Sequence, residues 1–359
     1  MKYLFLVQGE GRGHMTQAIA LSKILTSNGH EVVHTFIGKS DRRSIPSYFL
    51  EQLESRVDEI NSPNFILDKA NKSLKLSKSI SYNARFLGTY KKSLDQIHRK
   101  VNETRPDAII NFYDFLGGFY FRFYNPSKTK HICVGRQFLT LHPDYPFAQD
   151  RELEKKLYLT NNKITSQKCD KYLALSFRPY NPLNIKKVTV VPPLIRDDIK
   201  SLKSANEDFI LGYMVNDGYA EEIISWHKQH LDVEIHCFWD RKNIVEKYRP
   251  HKNLYFHQIN SSLFSDMMRR CKGYVSTAGF ESICEAMFLQ KPVLMIPVEG
   301  QYEQACNAID AEISGAGIKG SSFNISSLLD YMPTYKAGKE FKAWVSQAEH
   351  IFLEELTNF

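Results

Sequence analysis

The segment from Ser276 to Ala308 concentrates side chains suited to an anionic, hydroxyl-rich ligand. Ser276, Thr277 and Gly279 are small residues between a β-rich run, 273–276, and a helical pattern in which Phe280, Ile283, Cys284 and Met287 share one face. Small residues at a helix start let a phosphate approach bare N–H groups, and the helix dipole favours negative charge, so these three suit a diphosphate cradle. Ser282 and Glu285 project from the other side of that helix, where a carboxylate can accept two hydrogen bonds from vicinal ribose hydroxyls. A Gly-initiated helix carrying one Glu is also an ordinary structural element. Past the next apolar run, 292–297, Glu299, Gln301, Glu303 and Gln304 offer the donors and acceptors that sugar hydroxyls require, or simply a solvated loop.

The second cluster is Gln8-Gly9-Glu10-Gly11-Arg12-Gly13-His14, directly after the β-rich run 3–7. Gly11 and Gly13, on either side of Arg12, permit a tight turn and close backbone approach to a ligand. His14 opens a helical pattern, where an imidazole can take a proton from a hydroxyl; positioning a substrate and a purely structural role are the alternatives. Asp114 follows the run 107–113 and is expected at the same place, orienting His14 or binding an acceptor. Arg136, Gln137 and His142 follow another strand end. The glycine spacing is Gly-x-Gly-x-Gly, and Phe36-Ile37-Gly38 ends the second β run without an acid, which sets nicotinamide binding aside. No Asp-x-Asp, no His/Cys pairing at zinc spacing and no Gly-x-x-x-x-Gly-Lys loop occurs, so neither a metal nor another cofactor is expected.

Taken together, Ser-Thr-Ala-Gly-Phe-x-Ser-x-x-Glu-Ala, Lys-Pro-Val-Leu-Met-Ile-Pro and Glu-Gln-Ala-x-Asn-Ala resemble the donor-binding signature of GT-B glycosyltransferases. The likeness is greatest to the bacterial group that contains the peptidoglycan N-acetylglucosaminyltransferase and the UDP-glycosyltransferases, and the Gly-rich loop ending in His14 is a second match. The resemblance implies a metal-independent enzyme using a UDP-sugar. It assigns the ribose hydroxyls to Glu285, the phosphates to Gly279 and its neighbouring amides, and the sugar hydroxyls to Glu303 and Gln304. A glycan or lipid-linked acceptor is expected. The rivals are a UDP-sugar epimerase of the same architecture and a non-enzymatic nucleotide- or nucleic-acid-binding protein, although no nucleic acid is expected as a partner.

The elements that must position these residues alternate β-rich runs with helical patterns, which means parallel sheets. Runs at 3–7, 31–37, 107–113, 131–134 and 171–176 form one set; a double proline at Pro192-Pro193 interrupts the rhythm, which restarts at 209–215, 233–239, 253–257, 273–276 and 293–297. The expected fold is α/β, two Rossmann-like doubly wound domains facing a cleft, spanning 1–196 for the acceptor and 197–338 for the donor. A helix over 339–359, with Phe341, Trp344, Val345, Ala348, Ile351, Phe352 and Leu356 at helical spacing, is expected to pack back on the first domain. A length of 359 residues suits two cores.

Six dispersed Cys read as reduced core residues, and no run reaches the roughly 20 apolar residues of a membrane span, so a cytoplasmic protein is expected. The net charge of +7 suits an anionic partner. Much of it lies in Lys69, Lys72, Lys75, Lys78, Arg85, Lys91 and Lys92, interleaved with Leu74, Leu76, Ile80, Phe86 and Leu87. That segment is either a solvated helix flank or a peripheral contact with the inner face of an anionic membrane.

Overall fold

The computed structural model describes residues 1–39, 45–63, 83, 85–182, 187–214, 217–239 and 247–358. The first sheet contains β1 (Lys2–Gln8), β2 (Glu31–Lys39), β3 (Val57–Asn61), β4 (Ala108–Phe112), β5 (Lys130–Gly135), β6 (Lys171–Leu175) and β7 (Val188–Val191), in the order β3-β2-β1-β4-β5-β6-β7. Its pairings are all parallel. The second contains β8 (Ile210–Met214), β9 (Ile235–Trp239), β10 (Lys247–His251), β11 (Leu254–Gln258), β12 (Gly273–Thr277), β13 (Val293–Ile296) and β14 (Gly317–Lys319), in the order β10-β11-β9-β8-β12-β13-β14. Here the edge pair β10–β11 is antiparallel, a departure from the purely parallel expectation.

Residues Tyr3 to Val7 are fully buried, as a parallel strand covered by helices on both faces must be. The helix Arg12–Ser27 buries Ala18, Leu21 and Leu25 and ends at Asn28, after which Gly29 takes φ 76° and returns the chain to β2. In each sheet the chain runs outward to one edge and then restarts beside its first strand, at β1/β4 and at β8/β12. Loops after those strands diverge at the switch point, which is where such sheets open a crevice.

The expected domain boundary at 196/197 falls between the end of β7 at Val191 and the start of β8 at Ile210. The carboxyl-terminal segment is two helices, Glu340–Ser346 and Ala348–Thr357, broken at Gln347 where one was expected. They do return to the first domain: Tyr3 Oη donates to Leu356 O at 2.7 Å, Trp344 Nε1 to Ser176 O at 3.1 Å, and Lys171 pairs with Glu355 at 3.0 Å. One apolar core runs through both halves, with Phe177 of the first against Phe280 of the second at 4.6 Å between ring centres.

All six Cys are free and buried. Of the basic segment, Lys69, Lys72, Leu74, Lys75, Leu76, Lys78 and Ile80 lie outside the described residues. Arg85, Lys91 and Lys92 are exposed at the start of the helix Leu87–Thr104, where Leu87 is 66% exposed. Among the described residues no helix is long and apolar enough to cross a membrane.

Candidate active site

A cleft of about 830 Å³ opens between the two switch points. Gly11, Arg12, Gly13 and His14 line it from the first domain; Gly279, Ser282, Glu285, Gln301, Glu303 and Gln304 line it from the second. The Gly-rich loop reaches this position because Gly9 lies against β2, where a Cβ would stand 1.9 Å from Gly38 O. His14 is 8% exposed and stacks on Tyr113, with ring centres 5.7 Å apart. Burial pulls its pKa down to about 4, opposed by the Gln17 side chain, so the imidazole is neutral at neutral pH.

Asp114 does not reach the cleft. The strand β4 ends at Phe112, Tyr113 turns through φ 62°, and it is Tyr113 that meets His14. Asp114 instead caps the helix Phe115–Phe123: its Oδ1 accepts from Leu116 N and from Ser62 Oγ, both at 2.8 Å. Burial raises its pKa to about 6 against those two bonds.

Ser276 and Thr277 also lie elsewhere than expected. They are the last residues of β12, enclosed between β8 and β13; Ser276 Oγ donates to Thr277 O at 2.8 Å, and neither lines the cleft. The cleft wall begins two residues later, at Gly279. Gly279 sits at the start of the helix Phe280–Phe288 with no side chain capping it, so first-turn N–H groups without helical acceptors face the cleft. The Gly279 N–H itself is taken by Thr277 O.

Glu285 is 8% exposed, 3.6 Å from the Arg196 guanidinium at the domain junction; burial raises its pKa and Arg196 opposes the rise. Glu303 accepts from Gln137 Nε2 at 3.0 and 3.1 Å, which ties the two domains together, and burial raises its pKa too. Gln304 Oε1 accepts from Val298 N at 2.9 Å and so braces its own loop. Arg136 also lines the cleft, buried and paired with Asp310 at 2.7 Å and with Asn307 at 3.1 Å across the boundary. His142 is buried outside the cleft, its Nε2 donating to Asn181 O at 3.0 Å.

The sequence reading missed the cleft residue Glu281 and its partner Gln17 behind the cleft wall. Glu281, in the first turn of Phe280–Phe288, accepts from Gln17 Nε2 on the first domain, and burial pushes its pKa up to about 7. Its carboxylate lies where a Gly13 Cβ would be, 2.1 Å from Oε2. A pairing between residues 264 apart leaves no local pattern to find. Spacing also hid His131, Cys133 and Cys169, whose ligand-type atoms gather within 4.8 Å. Each of the outer two bonds to backbone: His131 Nδ1 donates to Gln167 O and Cys169 Sγ to Lys171 O, both at 3.0 Å.

Comparison with known proteins adds the family. A transferase of Fusobacterium nucleatum, named UDP-N-acetylglucosamine--N-acetylmuramyl-(pentapeptide) pyrophosphoryl-undecaprenol N-acetylglucosamine transferase, is 24% identical over 85% of this chain and 82% of its own. Among solved structures, the glycotransferase of kitacinnamycin matches 99% of this chain and 98% of its own at TM-score 0.64 and 14% identity. The UDP-GlcNAc 2-epimerase of Neisseria meningitidis, solved bound to UDP-GlcNAc, matches all of both chains at TM-score 0.57 and 14% identity. At such identities the two structures speak to the GT-B fold alone. The model of glycosyl transferase family 1 matches residues 1–333, and the chain accordingly belongs to that family and is a glycosyltransferase.

Proposed function

We propose that the protein moves a sugar from a nucleotide diphosphate donor, a UDP-sugar, to an acceptor hydroxyl without a metal ion. The observation that carries this reading is the uncapped start of the helix Phe280–Phe288, with Glu285 on the same wall, opening on the cleft that His14 lines from the other domain. The first-turn N–H groups and Arg12 receive the diphosphate, Glu285 the ribose hydroxyls, and Gln301, Glu303 and the amide of Gln304 the sugar. The acceptor oxygen bonds to the anomeric carbon as the bond from that carbon to the diphosphate breaks. The electron pair leaves on the diphosphate oxygen, and the hydroxyl proton passes to His14 Nε2. Fixed N–H dipoles at the helix start stabilise the charge that develops there.

Functionally, residues 1–196 serve the acceptor, 197–338 the donor, and 339–359 fasten the two. The acceptor is a glycan or a lipid-linked sugar. Its entrance is flanked by Leu157, Tyr158 and Leu153, the last 72% exposed, and the Fusobacterium relative is named for an undecaprenol-linked acceptor. We place the protein in the cytoplasm, at the inner membrane face when its acceptor is a lipid. The structural likeness to an epimerase supports a second reading, conversion of the donor with no acceptor; product analysis of UDP-sugar incubations separates the two.

Calorimetry tests the donor site. Glu285→Ala is expected to weaken binding of UDP and of UDP-sugars by about 10- to 100-fold, the loss of hydrogen bonds to a charged group. Binding equal to that of the parent protein overturns the assignment.

A further inference from the structure

A general-base histidine needs its distal nitrogen held so that the other nitrogen stays unprotonated toward the substrate. Asp114, expected in that role, is committed to the helix Phe115–Phe123. We propose that Gln17 orients His14 and that Glu281, from the second domain, holds Gln17, so that the proton-accepting imidazole is assembled across the domain boundary. The proposal rests on reading His14 as the base.

His14 and Gln17 are three residues apart in the helix Arg12–Ser27, which puts them side by side on one face. Gln17 is 1% exposed. Its amide is fixed by chemistry: the Glu281 carboxylate accepts from Gln17 Nε2, so Gln17 Oε1 must point the other way. That oxygen is buried without a hydrogen bond in its present rotamer, and so is His14 Nδ1. Leaving a buried donor and a buried acceptor unpaired forfeits the solvation of both. A hydrogen bond between these two side chains, neighbours on one helix face, would remove both losses, and the Gln17 side chain is the group that opposes the effect of burial on His14. The resulting tautomer carries its hydrogen on Nδ1, toward Gln17 Oε1. Nε2 is left as the acceptor beside Gly11, whose Cβ would lie 3.7 Å from it.

The second domain enters through Glu281. Only a glycine at position 13 leaves room for its carboxylate, which occupies the space of the missing side chain. Gly13 thereby serves two purposes: it opens the loop and lets a carboxylate of the opposite domain reach the back of Gln17. The chain Glu281–Gln17–His14 does for this imidazole what a directly bonded aspartate does in a His–Asp pair, with the carboxyl group one residue further away. Gln17 and Glu281 are positioning residues, because neither has to touch the reacting atoms.

The test reads the imidazole itself. Nitrogen-15 spectra of histidine-labelled protein at pH 7, with the His14 signals identified by their loss in His14→Asn, report which ring nitrogen carries hydrogen. The parent protein is expected to show the Nδ1–H form. Gln17→Met and Glu281→Leu are each expected to shift His14 toward a tautomer mixture and to lower kcat by about 10- to 100-fold, with the donor KM within about twofold. Glu281→Gln, which keeps an acceptor oxygen, restores most of both. An unchanged His14 spectrum in folded Gln17→Met or Glu281→Leu overturns the proposal, as does an Nε2–H form in the parent. Should Gln17→Met not fold, Glu281→Leu gives the same reading from the other side of the cleft. The spectra need no substrate, so absence of sugar transfer by the parent protein is a separate result that bears on the transferase reading.

Discussion

Tyr113 and Asp114 are adjacent, and one backbone angle decides which of them meets His14. With Tyr113 at φ 62°, the aromatic ring goes to the cleft and the carboxylate goes to the first turn of the next helix. A pattern of residue types fixes that an acid follows a strand, not on which side of the turn it emerges. Glu285, Gln301, Glu303 and Gln304 were legible because helix phase and strand-end position are periodic properties; Gln17 and Glu281 were not, because their meaning lies in each other. The buried Asp114 makes a pH prediction. Its folded pKa of about 6 exceeds the usual value of 3.8, so its contribution is fully present below pH 3.8 and is lost as pH rises through 6. In denaturant unfolding, Asp114→Asn is therefore expected to show its largest stability deficit below about pH 4. The deficit narrows as pH rises from about 4 to 6 and levels off above; one that widens instead contradicts the raised pKa.

At the scale of elements, the strands that carry the site were readable to within a residue or two, since buried parallel strands are short apolar runs. β3, β10 and β14 were not: they are edge strands, paired on one side, with mixed sequences such as Val-Asp-Glu-Ile-Asn. The break at Gln347 was equally silent, because apolar spacing continues across it while the backbone tightens locally, Gln347 N donating to Trp344 O three residues back at 3.1 Å. Gly9 is where one element constrains another. A methyl group there meets the carbonyl of Gly38, backbone within a paired strand that cannot retreat cheaply. Gly9→Ala is expected to destabilise the protein by about 2–3 kcal/mol, read as a lowered Tm and denaturation midpoint. Parent-like stability would mean that the loop has room the packing denies.

Across the whole molecule, Arg136 and Asp310 form a buried ion pair between the domains, with Tyr180 Oη donating to Asp310 at 2.9 Å and Arg178 at 3.4 Å from it. Burial works against the Arg136 charge, and Asp310 outweighs it, raising its pKa. Removing one partner strands the other without water. Asp310→Ala is expected to cost about 3–5 kcal/mol in equilibrium unfolding, and the double variant Arg136→Met, Asp310→Leu less than the single one. Equal or greater loss in the double variant would show that the pair holds the domains by shape alone.

The same unity of the two halves governs how the chain is made. Phe341, Trp344, Val345, Phe352 and Leu356 are buried, and Tyr3 bonds to Leu356, 353 residues further along the chain. The first sheet thus emerges with an apolar face that stays uncovered until residues 341–356 have been made. During translation a chaperone that recognises exposed aromatic surface has its longest opportunity on the first sheet, which is made well before the helices that cover it.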